Sequence, residues 1–254
     1  MGACSINGIG AYHDQKYMKK EQTKKTNASA AKKKAANAEL FDRNKVYTLA
    51  EAIEIAKKSS TVKFDASVEV HFRLGINPKK GDQQVRGAVS LPHGTGKTVK
   101  VAAFVPSDKE KEVKEAGADY VGGEDLIDEI KKSEKTDFQV AVATPDMMKN
   151  LATIAKILGT RGLMPSPKND TVTLNPAKAV TELKKGKISF KNDDTGNLHA
   201  VIGRVSFDNA KLVENYQALL DTVKKSKPVA SKGSYLKNIS ICSSMGPGIR
   251  VAIS

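Results

Sequence analysis

The sequence contains no tryptophan, only two cysteines, and aromatic residues at just 5% of its 254 positions. Cys4 and Cys242 lie far apart, so no disulfide framework is predicted, and we expect reduced thiols in a reducing compartment. No run approaches the roughly 18 consecutive apolar residues of a membrane-spanning helix, and the first residues do not resemble a secretory segment. Hydrophobic residues nevertheless make up 39% of the chain, which is enough for one large or two ordinary cores.

Positive charge is concentrated at the two ends of the sequence, within a formal net charge of +14. Residues 1–38 hold eight basic and two acidic residues, and 187–254 hold ten and five. Between them, 39–93 hold nine and seven, and 94–186 hold fifteen and fourteen. We interpret the two ends as parts of one cationic body around a nearly neutral insert. Such a body favours nucleic acid, and a solvated lysine-rich surface is the alternative.

The N-terminal segment, 1–38, has few apolar residues and three lysine clusters. It cannot bury enough apolar surface to offset the entropy of ordering, so we expect a disordered basic extension or a helix that forms on a partner. Met18 is an alternative translation start within it.

Apolar periodicity predicts an α+β outer domain with an α/β domain inserted into it. The outer domain is discontinuous and takes in 39–93 and 187–254. Within 94–186, short strands alternate with helices of about ten residues, which is typical of a parallel sheet. Gly94 and Gly186 stand at the two chain crossings, the points where the chain passes between the outer and the inserted domain. We predict a hinge there because glycine tolerates large dihedral changes.

Several local patterns specify individual elements. Thr48 and Glu51 have the spacing of a capping box, which predicts the start of a helix. Alternation from 68 to 74 predicts a half-buried strand, and the polar run 192–197 predicts a hairpin turn. The segment 145–158 is expected to form one helix.

Signatures of catalysis or metal binding are weak. The run from His93 to Thr98 resembles the end of a phosphate-binding loop, but Leu91 occupies the position of the first glycine. The four histidines show no ligand-like spacing, so we predict neither an enzyme nor a metal site. Two alternatives stay open: an α/β enzyme that binds a nucleotide in 94–186, and a free regulator that binds mRNA.

The run from Ser243 to Pro247 forms a predicted hairpin tip between two short strands. An exposed methionine at such a tip, Met245, is unusual. Packing of this side chain into a core is one explanation, and contact with a ligand is the other.

Six runs of sequence, in this order, match a known family: Val68 to His71, Arg86 to Gly94, Ala116 to Gly123, Arg161 to Pro165, Phe190 to Asp193, and Ser244 to Pro247. Together they resemble the bacterial form of the large-subunit ribosomal protein L1 (uL1) family, over about Asn44 to Ser254. Ser244 stands where the family more often has Thr, Thr160 where it commonly has Pro, and Asn238 where it often has Ser or Lys.

The resemblance implies an RNA-binding outer domain, an inserted Rossmann-like domain, and no enzymatic activity or cofactor. Members bind a helical element of large-subunit (23S-type) rRNA that forms a mobile stalk, near which deacylated tRNA leaves the exit site. Many also repress translation of their own operon mRNA. We therefore expect these RNA partners, a monomer when free, no membrane, and a location on ribosomes in the cytoplasm, bacterial or organellar.

The binding site implied by the resemblance centres on Phe64 and on Ser244 to Gly246. We expect Phe64 and Met245 to lie flat against riboses or bases, and the serine hydroxyls to contact structured RNA. Lysines attract phosphates without reading sequence. The complete expected set is Lys63, Phe64, Glu69, Lys191, Lys232, Lys237, Ser243, Ser244, Met245 and Gly246.

Overall fold

The computed structural model describes residues 41–42, 45–133, 135–231 and 233–253. The chain divides into two compact units, Met1–Lys45 and Val46–Ser254. The basic extension over 1–38, with Cys4 and Met18, lies outside the described residues, and so does Lys232. None of the helices in the described part combines the length and apolarity needed to cross a membrane.

Strands and helices are interspersed along the second unit. The strands are β1 (Ser67–Leu74), β2 (Arg86–Ser90), β3 (Val101–Phe104), β4 (Tyr120–Gly122), β5 (Val140–Ala143), β6 (Lys187–Lys191), β7 (Asn197–Arg204), β8 (Leu236–Ser243) and β9 (Ile249–Val251). The helices are α1 (Leu49–Lys58), α2 (Glu110–Glu115), α3 (Glu124–Ser133), α4 (Met148–Leu151), α5 (Ala155–Thr160), α6 (Pro176–Lys184) and α7 (Asn209–Lys225). The predicted mixture of α and β structure is confirmed, and the two-domain layout stays a prediction.

The four-stranded sheet has the order β7-β1-β8-β9, and each neighbouring pair is antiparallel. The predicted alternation of β1 is confirmed, since Val68, Val70 and Phe72 are completely buried. Helices α1 and α7 pack against the sheet, and Phe72 stacks on Tyr216 of α7 with ring centroids 6.4 Å apart. The other face carries the intervening polar residues of β1, because successive side chains of a strand point to opposite faces.

A second sheet is parallel, with the order β4-β3-β5, as predicted. All four residues of β3 are buried, which is typical of a strand covered on both faces. The predicted helix over 145–158 is wrong in its continuity, because a 3₁₀ turn at Ala152–Ile154 separates α4 from α5. Within it, the Thr153 hydroxyl donates to the Asn150 carbonyl at 2.8 Å, and a bond of this kind competes with the regular helical pattern.

The segments that join the two sheets run side by side. β2 pairs with β6 in antiparallel register, and the two crossing glycines follow and precede these strands. Gly94 and Gly186 have φ of +64° and +103°, and a Cβ on Gly186 would lie 2.4 Å from the Gly94 Cα. The buried Asn215 amide donates to the Gly94 carbonyl at 3.0 Å, which holds this crossing on α7. Movement at these glycines stays a prediction.

The loop from His93 to Thr98 leads into a strand, β3, rather than into a helix. A phosphate-binding loop requires a helix N-terminus behind the phosphate, so the loop lacks the geometry of that motif.

Candidate nucleic-acid interface

The chain leaves β8 through a tight turn whose third residue is Met245. The Gly246 amide donates to the Ser243 carbonyl at 2.8 Å and closes the turn. Met245 has a φ of +64°, in the left-handed region that residues other than glycine rarely adopt. This conformation costs about 1–2 kcal/mol in an L-residue, and strained residues of this kind cluster at functional sites.

The Met245 side chain is 86% exposed. A side chain that fills a core gap would be buried, so the packing explanation for this methionine is wrong. The fold instead holds a large apolar side chain in water on a strained backbone.

Ser243 and Gly246 form the inner side of the same turn. Ser243 is completely buried, and its hydroxyl has no hydrogen-bond partner among the described residues. A Cβ on Gly246 would lie 2.3 Å from the Ser243 Oγ, so the turn accepts only glycine here without rearrangement. The Ser243 hydroxyl therefore faces the turn, which corrects the expectation that it lies at the surface as a ligand donor.

Ser244 lies beside the start of β1. Its backbone amide donates to the Ser67 carbonyl at 2.9 Å, and its hydroxyl donates to the same carbonyl at 3.4 Å. The hydroxyl is half-buried, and its lone pairs remain available to an outside donor. The expected contact of Ser244 with RNA is thus compatible with acceptance of a hydrogen bond.

Phe64 is 60% exposed and precedes β1, in a segment that contacts Arg204 at the end of β7 and Ser206 just beyond it. The Arg204 guanidinium donates to the Asp65 carbonyl at 3.0 Å, and the Ser206 hydroxyl donates to the Asp65 carboxylate at 2.9 Å. These contacts hold the carbonyl and the carboxylate of Asp65, the residue that directly follows the exposed Phe64.

Phe64 and Met245 lie at the same end of the four-stranded sheet. Val68 pairs with Ser243 across β1 and β8, which brings the start of one strand to the end of the other. We call this part the turn end and define it by Lys63, Phe64, Ser244, Met245 and Gly246. Lys63 is exposed there and adds a positive charge.

Two predicted lysines lie away from the turn end. Lys237 is near the opposite end of β8, six residues from Ser243, which is about 20 Å along a strand. Lys191 ends β6, and the next residue, Asn192, pairs with Leu198 near the start of β7, at the opposite end of the sheet from the turn end. Both are exposed, as is Asn238 next to Lys237. The structure therefore brings together only part of the predicted set.

Arg204 is a cation that the sequence patterns did not single out. Its guanidinium donates to the carbonyls of Asp65 and Gly96, which are 139 and 108 positions away. Since neither partner is near in sequence, no local pattern indicates this role.

Glu69 belongs to a polar cluster on the face of the sheet opposite α1 and α7. It pairs with Cys242 across the strands, and the His71 Nε2 lies 3.0 Å from the Cys242 Sγ. The His71 Nδ1 lies 2.7 Å from the His199 Nδ1. Spacing along the sequence does not indicate this cluster, because 171 positions separate His71 from Cys242.

The surroundings of the cluster change the protonation of its members. Burial, and then the neighbouring His199, lower the pKa of His71 despite the opposing charge of Glu69. Burial and the Glu69 charge raise the pKa of the Cys242 thiol to about 11. Near pH 7 the imidazole of His71 is therefore neutral and the thiol carries its proton.

The sequence matches a model of a known protein family. The family model described as the ribosomal protein L1p/L10e family matches residues 56–247. This range is more than half of the chain, and it contains every residue of the turn end.

Proposed function

Because the chain belongs to the ribosomal protein L1p/L10e family, we propose that it binds the stalk element of large-subunit rRNA through the turn end. Members of this family are structural constituents of the large ribosomal subunit and bind rRNA. The observation that supports this surface is the pair of exposed apolar side chains, Phe64 and Met245, at one end of a basic protein.

The chemistry of the turn end suits a structured RNA. An A-form helix presents a wide, shallow minor groove with ribose rings and 2′-hydroxyls. Met245 and Phe64 offer flat apolar contact to riboses or unstacked bases, while Ser244 accepts from a 2′-hydroxyl. Lys63 supplies attraction to phosphate, which positions the RNA without reading its sequence.

Three finer parts of the proposal rest on the resemblance of the sequence motifs. We propose that the chain is of the bacterial type, that the stalk to which it binds assists release of deacylated tRNA, and that it represses its own operon mRNA. One binding surface serves both rRNA and mRNA if the two RNAs share a shape. The two RNAs then compete for this surface, so the protein represses translation of its mRNA only when the rRNA sites are occupied.

Binding of a stalk rRNA fragment across a salt series tests the proposed function. We expect the logarithm of the association constant to fall linearly with the logarithm of salt concentration, since each neutralised phosphate releases counterions. The measurement is a filter-binding or fluorescence titration at several salt concentrations, with a hairpin of equal length and scrambled sequence as control. Equal affinity for both RNAs at every salt concentration would refute specific recognition.

Replacement of Phe64 with alanine is expected to weaken binding of the fragment by about 10-fold, because one stacking contact contributes about 1–3 kcal/mol. Its exposed ring predicts a thermal midpoint close to that of the unchanged protein. Leu174→Ala is a matched control, since Leu174 is a similarly exposed apolar residue, at 70%, outside the four-stranded sheet. A loss of the same size in both variants, or a large drop in the Phe64→Ala melting temperature, argues against direct contact.

A further inference from the structure

We propose that Glu69, His71 and Cys242 form a binding site for a transition-metal ion of the Zn²⁺ class. The site goes beyond RNA binding and uses the polar face of the four-stranded sheet. Strand register creates it: Glu69 and His71 are two residues apart on β1, and Cys242 pairs with Glu69 from β8. All three side chains therefore project from the same face.

The ligand atoms are near the spacing that a metal ion requires. One carboxylate oxygen, one imidazole nitrogen and the Cys242 Sγ all lie within 4.8 Å of one another. Zinc bonds of about 2.0 Å to nitrogen or oxygen and about 2.3 Å to sulfur put tetrahedral ligands about 3.5 Å apart. The Nε2 to Sγ distance of 3.0 Å has to open by roughly 0.5 Å, which rotation of a half-buried side chain accommodates.

A second layer of contacts orients His71 toward the site. Its Nδ1 lies 2.7 Å from the His199 Nδ1, so one of these atoms carries the proton. If His71 is the donor, its Nε2 keeps a free lone pair directed at Cys242. His199 is then protonated on Nε2, which lies 3.8 Å from the Asp193 carboxylate. Histidine ligands of zinc typically donate their second ring N–H to a neighbouring acceptor, and here that acceptor is the His199 imidazole.

The Asp193 carboxylate places a negative charge beside His199. Asp193 accepts from the backbone amides of Thr195 and Asn197 at 3.0 and 2.6 Å. Burial opposes ionisation, but hydrogen bonds from Thr195 and Asn197 outweigh it and lower the pKa of Asp193 to about 2. The carboxylate is thus charged and fixed in the turn before β7.

The donor set selects the class of metal. A thiolate, an imidazole and a carboxylate match a borderline ion such as Zn²⁺, whereas Mg²⁺ and Ca²⁺ prefer oxygen ligands alone. On binding, the Cys242 thiol loses its proton to solvent and the sulfur–metal bond replaces the S–H bond. Three protein ligands leave the fourth position to water. Cys242 directly precedes the buried Ser243, so the ion would brace the base of the turn.

Titration of the full-length protein with Co²⁺ and Zn²⁺, without RNA, tests the site. A Cys4→Ser background removes the other thiol. We expect one Co²⁺ per chain with a sulfur-to-metal charge-transfer band, and displacement of Co²⁺ by Zn²⁺. The band disappears in Cys242→Ser, the affinity falls at least 10-fold in His71→Ala, and it falls about 10-fold in His199→Ala.

His93→Ala serves as the matched control, since His93 pairs with Glu214 elsewhere and should leave metal affinity unchanged. Thermal melts confirm that each variant is folded, and Glu69→Gln gives an independent loss of affinity without removal of the thiol. No charge-transfer band in the Cys4→Ser protein, or equal affinity in His71→Ala and His93→Ala, overturns the site. Because no RNA is present, either result leaves the proposed rRNA binding to be judged by its own titration.

Discussion

Replacing Met245 with alanine should weaken binding of the stalk rRNA fragment by about 30-fold at fixed salt, or about 2 kcal/mol. The side chain is 86% exposed in the free protein, so bound RNA is what would remove it from water. Large apolar anchors near the centre of an interface commonly dominate its binding energy. Filter binding at one salt concentration measures the change. An unchanged dissociation constant would falsify the role of this side chain.

Two further substitutions at Met245 separate side-chain contact from backbone strain. Met245→Gly should be more stable than the unchanged protein by about 1 kcal/mol, because glycine adopts a φ of +64° freely, yet it should bind RNA as weakly as alanine does. Met245→Leu keeps an apolar side chain and should keep most of the affinity. If the glycine variant binds like the unchanged protein, the turn backbone rather than the methionine recognises RNA.

Replacing Gly186 with alanine should lower the free energy of unfolding by about 3 kcal/mol, the combined scale of backbone strain and overpacking. Gly186 has a φ of +103°, and a Cβ there would lie 2.4 Å from the Gly94 Cα. Since the obstacle is backbone, no side-chain rotation relieves it. The two chain crossings would have to separate, which also disturbs the Asn215 contact with Gly94.

Gly117→Ala is the matched control for this effect. Gly117 has a φ of +92°, but nothing lies within 4 Å of a Cβ built on it. Its alanine variant should therefore carry only the conformational strain, about 1 kcal/mol. Urea unfolding of both variants gives the comparison. Equal losses in the free energy of unfolding would show that the close approach of Gly94 and Gly186 does not limit the side chain at position 186.

Local patterns in the sequence predicted many of the elements. At α1, the Thr48 amide donates to the Glu51 carboxylate at 3.2 Å, as expected for a capping box. The polar turn before β7 is held by Asp193, as its composition indicates. The break between α4 and α5 escaped prediction, because the apolar period continues through it while the Thr153 hydroxyl donates back to the Asn150 carbonyl.

The candidate site was only partly predictable. The family resemblance indicated Phe64, the turn pattern indicated Met245, and both side chains are exposed. The same pattern placed a hydroxyl at Ser243 on the surface, although it is completely buried. Turn chemistry specifies where a chain reverses, but the side chain that faces inward depends on how the turn sits on β1.

The sequence by itself determined most of the strands and helices, which face of β1 enters the core, and where the charges lie along the chain. These properties arise within a few residues, where periodicity and turn chemistry act directly. Only the tertiary structure decided that Met245 projects into water, that His71 meets Cys242, and that Gly94 touches Gly186. These contacts join residues far apart in the chain, and the register of β1 against β7 and β8 and the pairing of β2 with β6 set them. That pairing follows from burial of the whole apolar surface, which no local pattern encodes.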